Sequence, residues 1–296
     1  MLKTPKYYRQ RFLLVLLEKS GGCLSKTDFQ KLLFLSQKEA GFSYYDFVPY
    51  HYGCFSFQAQ SDIELLASLG WLEEKNNRIH LLSKPQSGLT HDVLVSIGDF
   101  TEDFIDYRGK KLLTYVYEQY PYYATHSKIA AEVMDETSYQ KIITEREGLR
   151  GQNKVIYTLG YEGLSFEGYV NLLLKNDVRL LCDVRKNPLS RKFGFSKGSL
   201  GRLLPKLGVA YLHIPDLGIR SEMRQQLNTA DDYARLFSVY SETLPQKKES
   251  LKLLETLLDR HQRIALTCFE KEPHLCHRHC VSDYLERERK IRITHL

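Results

Sequence analysis

The chain has 296 residues, 43% hydrophobic and 26% charged, with a formal net charge of +6 and six cysteines. At roughly 100 to 200 residues per domain this is one or two globular domains, and the apolar fraction excludes an intrinsically disordered chain. No run approaches the ~18 apolar residues of a membrane-spanning helix, and the cysteines are too sparse for a disulfide scaffold. The apolar run Phe12–Leu17 is short and lacks a small-residue cleavage site, so no signal peptide is expected. A cytoplasmic protein with reduced thiols, and no membrane partner, is the expectation.

The first half opens with a helix over Tyr7–Glu18, closed by Ser20, Gly21 and Gly22. Ser25 with Asp28 three residues later resembles a capping box, and Phe29, Leu32, Leu33 and Leu35 carry a helical apolar stripe up to a stop at Gly41. An aromatic connector, Tyr44–Phe57, leads to a third helix over Gln58–Leu69, ended by Gly70. Trp71–Glu74 and Arg78–Leu82, around Asn76 and Asn77, read as a hairpin. Three helices followed by a hairpin is the order of a winged helix, which predicts a mainly α, winged-helix-like domain over residues 1–150. Its second and third helices carry few cations (Lys26, Lys31, Lys38), so DNA reading and a protein-interaction or homodimer role are both open for this half. Two further helical patterns lie between Asp99 and Met134, and the weakly patterned Asp135–Asn153 reads as a linker.

Residues 151–296 alternate strand and helix. Strands are predicted at Lys154–Leu159, Val178–Val184, Val209–His213 and Arg263–Cys268, with a short edge strand at Ile291–His295. Helices are predicted at Phe166–Lys175, Lys197–Leu207, Ala230–Tyr240, Ser250–His261 and His274–Arg289. This order implies a Rossmann-like α/β domain, a parallel sheet sandwiched between helices.

The charge divides along the same boundary. Residues 1–150 hold 18 basic and 19 acidic side chains, a net of −1, whereas residues 151–296 hold 24 and 17, a net of +7. Arg179–Lys206 alone carries eight basic side chains and one acid, Asp183, interleaved with Asn187, Pro188, Phe193, Gly194 and Phe195. A basic run broken by loop-formers and aromatics points to a loop that faces an anion.

Ligands of open parallel sheets bind at the carboxyl ends of the strands. There the sequence places Gly160, Tyr161, Glu162 and Gly163; then Asp183, Arg185, Ser190 and Arg191; then His213 through Gly218; then Cys268, Phe269 and Glu270. Pro273 reads as a first-turn residue of the last helix, which would set Cys276 and Arg278 at its positive end. At such a place Cys276 is a candidate low-pKa nucleophile and Arg278 a candidate phosphate fork. The spacing of Cys268, Cys276, His277, His279 and Cys280 matches no common zinc arrangement, so no metal or other cofactor is expected.

Four blocks, YTLGYEG, LLCDVRKNPLSRKFGFSK, LGVAYLHIPDLGIRSE and ALTCFEKEPHLCHR, resemble in order and spacing the widespread bacterial domain of unknown function 488 family over about Val155–Leu285. The resemblance implies a compact α/β sandwich. It also implies a signature of Asp183, Arg185, Pro188, Ser190, Arg191, Gly218, Cys268, Glu270, Pro273, Cys276, His277 and Arg278, all present here. It supplies no settled activity. The upstream KLLFLSQKEAG and YYDFVPYHYGCFSFQAQSDIELLASLGW resemble bacterial winged-helix modules found beside toxin, antitoxin and mobile-element functions, with Cys54 where such modules usually carry proline.

Three functional readings follow. In the first, the basic domain binds and processes a phosphate-bearing nucleotide or nucleic acid by transfer or hydrolysis at a sugar or phosphate centre. Asp183, Glu270 and Cys276 are its candidate catalytic groups. Tyr161, Glu162, Arg185, Ser190, Arg191, Gly218, Cys268, His277 and Arg278 are its candidate ligand-binding residues. The crevice has few carboxylates, which favours metal-free chemistry. In the second reading, a DNA-associated regulator or sensor binds an anionic signal without turnover. The third is a thiol enzyme, because Asp183-Val184-Arg185 at a strand end and a cysteine loop before a helix resemble rhodanese-like sites. That loop is not the short glycine-rich kind that cradles a persulfide.

Overall fold

The computed structural model describes every residue except 1, 3, 4, 86, 87, 225, 226 and 228. The chain divides into two units, Met1–Gly148 and Leu149–Leu296.

In the first unit, α1 (Tyr8–Lys19) buries Phe12 through Leu17 without interruption, so it lies inside the core rather than on it. The strand β1 (Cys23–Ser25) leads into α2 (Lys26–Ala40), where the Ser25 hydroxyl accepts the Asp28 N–H at 3.0 Å and Gly41, at φ 74°, ends the helix. The aromatic segment holds a small hairpin, β2 (Val48–Tyr50) and β3 (Gly53–Phe55), in place of an irregular connector. Next come α3 (Phe57–Ser68), capped by Ser56, and the hairpin of β4 (Leu72–Lys75) and β5 (Arg78–Leu81). Asn76 and Asn77 both have positive φ, the conformation that two-residue hairpin turns require. Strand β1 adds to the hairpin, giving an antiparallel sheet of order β1-β5-β4. A three-residue strand ahead of a helix cap carries too little pattern to be seen in the sequence.

The unit is completed by α4 (His91–Asp103), α5 (Gly109–Gln119), the single turn α6 (Ala130–Val133) and α7 (Glu136–Gly148). Helix α7 corrects the linker expected over Asp135–Asn153. It buries one apolar side chain, Ile142, in the core and donates from Arg146 Nε to the Thr125 carbonyl at 2.7 Å. One buried position in thirteen residues leaves no periodicity to detect.

The second unit is built on a five-stranded, all-parallel sheet of order β10-β6-β9-β7-β8. Its strands are β6 (Val155–Gly160), β7 (Leu180–Asp183), β8 (Ala210–His213), β9 (Arg263–Cys268) and β10 (Ile293–His295). The helices are α8 (Phe166–Lys175), α9 (Lys197–Leu203), α10 (Ala230–Thr243), α11 (Lys248–His261) and α12 (Arg278–Arg289). Every residue of β6 and β9 is buried, as a sheet covered on both faces requires. On one face Phe237 and Tyr240 of α10, Leu254 and Leu258 of α11 and Val281 and Leu285 of α12 pack on Ile156, Leu180, Cys182, Ile264 and Leu266. On the other, the Tyr169 hydroxyl of α8 donates to Thr267 Oγ1 at 2.8 Å.

The chain runs outward from β6 through β7 to β8, then turns back through β9 to β10. The neighbours β6 and β9 therefore send their carboxyl ends towards helices on opposite faces, and a crevice opens where they part. The last helix begins at Arg278. Pro273 opens a separate 3-10 turn, Pro273–Leu275, so Cys276 lies in the joint between the turn and α12, outside the helix end where it was expected.

Candidate functional site

A cleft of about 410 Å³ occupies that crevice, lined by Tyr161 after β6, Arg185, Lys186, Asn187, Leu189, Ser190 and Arg191 after β7, Ile219, and Cys268, Phe269 and Glu270 at the end of β9. Close backbone approach shapes it. A Cβ on Gly160 would stand 1.8 Å from the Glu270 carbonyl oxygen, and one on Gly218 would stand 2.2 Å from the Lys186 nitrogen. Glycine at these two positions is what lets the loops after β6 and β8 back the residues that line the cleft. Glu162 ties two of the loops together: its N–H donates to the Phe269 carbonyl at 2.9 Å and its carboxylate accepts the Lys271 N–H at 3.0 Å.

Beneath the cleft, Asp183 is fully buried and its carboxylate accepts four hydrogen bonds. Arg185 gives three, from Nε at 2.8 Å, Nη2 at 2.6 Å and its own N–H at 3.1 Å, and the Tyr211 hydroxyl gives the fourth at 2.8 Å. Burial pushes the Arg185 pKa down, but the hydrogen bonds and charge of Asp183 more than reverse this, so the guanidinium stays charged. Its remaining donors reach the Tyr161 hydroxyl at 2.9 Å and the Phe195 carbonyl at 3.0 Å, and Tyr161 stacks on Phe195 at 4.3 Å. Asp183 and Arg185 thus neutralise each other and hold the loop after β7 against Tyr161. The Asp183 carboxylate is saturated and lies behind the cleft wall, so its geometry is that of a positioning residue rather than of a group touching ligand.

The loop after β9 is held in the same way. Arg278 is fully buried and spends Nη1 on the Glu270 carbonyl and Nη2 on the Lys271 carbonyl, the latter at 2.7 Å. The expected phosphate fork is therefore turned inward as a clamp on backbone. Glu270 is half-buried, and its Oε2 accepts the Cys268 thiol at 3.4 Å. Cys276 is 1% exposed, and burial, then the neighbouring Cys268, raise its pKa well above the ordinary thiol value. That is the opposite of the activated thiolate expected at a helix start, because Cys276 has neither the helix end nor solvent. His277 Nε2 lies 3.0 Å from the Val184 carbonyl, while its Nδ1 faces Cys268 Sγ at 3.7 Å and Cys276 Sγ at 3.9 Å.

Residues 165–285 match the family model described as Domain of unknown function DUF488. The C-terminal unit is a DUF488 domain. No curated protein matches the chain. No solved structure matches it either. The family match begins at Ser165, the cap of α8, and so leaves β6, Gly160 and Tyr161 outside it.

Of the candidate residues named from the sequence, the DUF488 cleft is lined by Tyr161, Arg185, Ser190, Arg191, Cys268 and Glu270. Asp183, Glu162, Gly218, Cys276, His277 and Arg278 stand around it as supports. Arg191 is exposed and, like Lys186, makes no hydrogen bond or ion pair with the described residues. Ser190 Oγ accepts the Lys192 N–H at 3.2 Å, a turn that orients the basic loop. Lys186, Asn187, Leu189, Ile219 and Phe269 also line the cleft and were not singled out as site residues. The signal for Lys186 and Phe269 was adjacency, since each directly follows a residue that was.

In the first unit the three cations of α2 are otherwise engaged. Lys31 is 2% exposed and donates to the Tyr52 carbonyl, Lys26 pairs with Glu74, and Lys38 lies over the rings of Phe34 and Tyr123. Burial lowers the Lys31 pKa.

Proposed function

We propose that the DUF488 cleft binds a phosphate-bearing nucleotide or nucleic-acid segment and processes it at a sugar or phosphate centre. The observation that carries this reading is the composition of the cleft wall. Lys186 and Arg191, which pair with none of the described residues, stand with the half-buried Glu270, while the third cation, Arg185, is already neutralised by Asp183. The cations that line the cleft outnumber its carboxylates, and Glu270 is the lining carboxylate that would act as acid, base or nucleophile.

The apolar part of the wall suits a base. Phe269 is 44% exposed and Leu189 86% exposed at the cleft, whereas Tyr161 is buried against Phe195. An exposed ring beside such cations is the pairing used to stack a base and hold its phosphate. Lys186 and Arg191 are the groups that would hold the phosphate, and Glu270 would move a proton or attack.

A second reading is a regulator or sensor that binds the same anion without turnover, with the first unit read from its helices and following hairpin as a winged-helix-like interaction module. The engaged α2 cations favour a protein partner over DNA for that unit.

The two readings separate on Glu270→Gln in the full chain. Wild-type protein is incubated with labelled oligonucleotides and with nucleoside triphosphates, and products are followed by mass spectrometry. Turnover by wild type that is lost in Glu270→Gln while binding persists supports the enzyme. Binding without turnover in both proteins supports the sensor.

A further inference from the structure

The sequence spacing argues against a metal, yet the fold gathers Cys268, Cys276 and His277 so that their ligand atoms all lie within 4.8 Å of one another. We propose that Cys268, Cys276 and His277 form a zinc site at the edge of the DUF488 cleft. Three observations carry it, and none depends on what the cleft binds.

The first is spacing. A tetrahedral zinc ion about 2.3 Å from sulfur and about 2.0 Å from nitrogen separates the two by roughly 3.5 Å. The Nδ1 of His277 lies 3.7 Å from one sulfur and 3.9 Å from the other, so small rotations bring all three onto one ion.

The second is the imidazole tautomer. The Val184 carbonyl can only accept, so His277 Nε2, 3.0 Å away, carries the proton. Nδ1 is then the unprotonated nitrogen and points at the two thiols. A histidine fixed by a backbone carbonyl on one nitrogen and offering the other is the usual support of a zinc ligand.

The third is charge. All three side chains are at most 1% exposed, where an unbalanced ion is costly. Two thiolates neutralise a divalent cation, and thiolate with imidazole in tetrahedral array selects zinc over harder ions. On binding, Cys268 and Cys276 each exchange an S–H bond for a sulfur–zinc bond and release the proton to solvent; no electron moves. Glu270, whose Oε2 lies 3.4 Å from Cys268 Sγ, borders the site. The sequence conceals the set because one ligand ends a strand and two come from the joint before the last helix, so the spacing in the chain resembles no familiar zinc motif.

The test uses the full chain, reduced, stripped with a chelator and titrated with cobalt(II) as a spectroscopic stand-in for zinc. The proposal expects about one ion per chain, an intense thiolate-to-cobalt charge-transfer band and its displacement by zinc. Cys276→Ser should roughly halve the band, and His277→Gln should weaken binding at least tenfold, within the ~10- to 100-fold range seen when metal-site partners are lost. Circular dichroism checks that each variant is folded. Should both variants unfold, the wild-type band and its displacement by zinc still decide. Absence of the band in folded, reduced wild type overturns the proposal, as does isolation of a Cys268–Cys276 disulfide that takes up no metal after reduction. The readout is metal alone, so it succeeds or fails separately from nucleotide binding.

Discussion

Arg185 closes a two-pronged ion pair on the buried carboxylate of Asp183, at 2.8 and 2.6 Å, and with its remaining donors reaches Tyr161 and the Phe195 carbonyl. The pair holds the loop that presents Lys186, Ser190 and Arg191, although Asp183 does not itself line the cleft. Asp183→Asn should leave a buried guanidinium without its counter-charge and cost about 3–5 kcal/mol, read as a lowered urea midpoint. Replacing both residues together by apolar ones of similar size should cost less than the single change, because no charge is then stranded. Equal losses would mean that the pair is not what holds the loop.

Glycine positions offer a sharper contrast. Ala at Gly160 or Gly218 drives a methyl into backbone at 1.8 or 2.2 Å and should cost about 1–3 kcal/mol while shifting Glu270 or Lys186. Gly198, on α9 with open space around its Cβ position, should instead gain about 0.5–1 kcal/mol when changed to Ala. Thermal denaturation of the three variants checks both signs.

Stability of the first unit should fall at alkaline pH through Cys54. Burial pushes its thiol up to about 11, only partly opposed by Lys31 and Lys38. The folded state thus keeps the proton longer than the unfolded chain. The contribution is complete below about pH 8.5, where an ordinary thiol is protonated, and is lost as pH climbs towards 11. Cys54→Ala should lower stability at neutral pH through lost packing and also flatten the decline above pH 8.5 by about 2–3 kcal/mol. Parallel pH profiles for both proteins would expose the opposite sign.

Much of this architecture was legible before folding, because apolar periodicity and caps are local. Phe166–Lys175 and Arg263–Cys268 have the bounds their patterns imply, and the parallel sheet follows from the alternation. Three-residue strands such as Cys23–Ser25 and Val48–Tyr50 carry no period of their own and exist through their partners. Helix α7 escaped because it buries a single apolar side chain, Ile142, and one buried position leaves no period to read. At the site, residue types showed which strand ends matter but not which way each side chain turns. Arg278 and Arg191 look alike in the chain, yet one grips the carbonyls of Glu270 and Lys271 and the other is exposed. Likewise, whether Cys276 is activated depends on a helix that begins at Arg278, four residues later than the start at His274 that its proline suggests.

The most direct test of the anion-binding cleft is equilibrium binding of a labelled single-stranded oligonucleotide and a labelled nucleoside triphosphate to the full chain, from about 50 to 200 mM salt. Wild type should bind at least one of them with affinity that falls as salt rises. Arg191→Ala and Lys186→Ala should each weaken binding about tenfold or more at unchanged melting temperature and reduce the salt slope by about one. Binding that ignores salt and both substitutions, or no binding of either probe, would contradict the account.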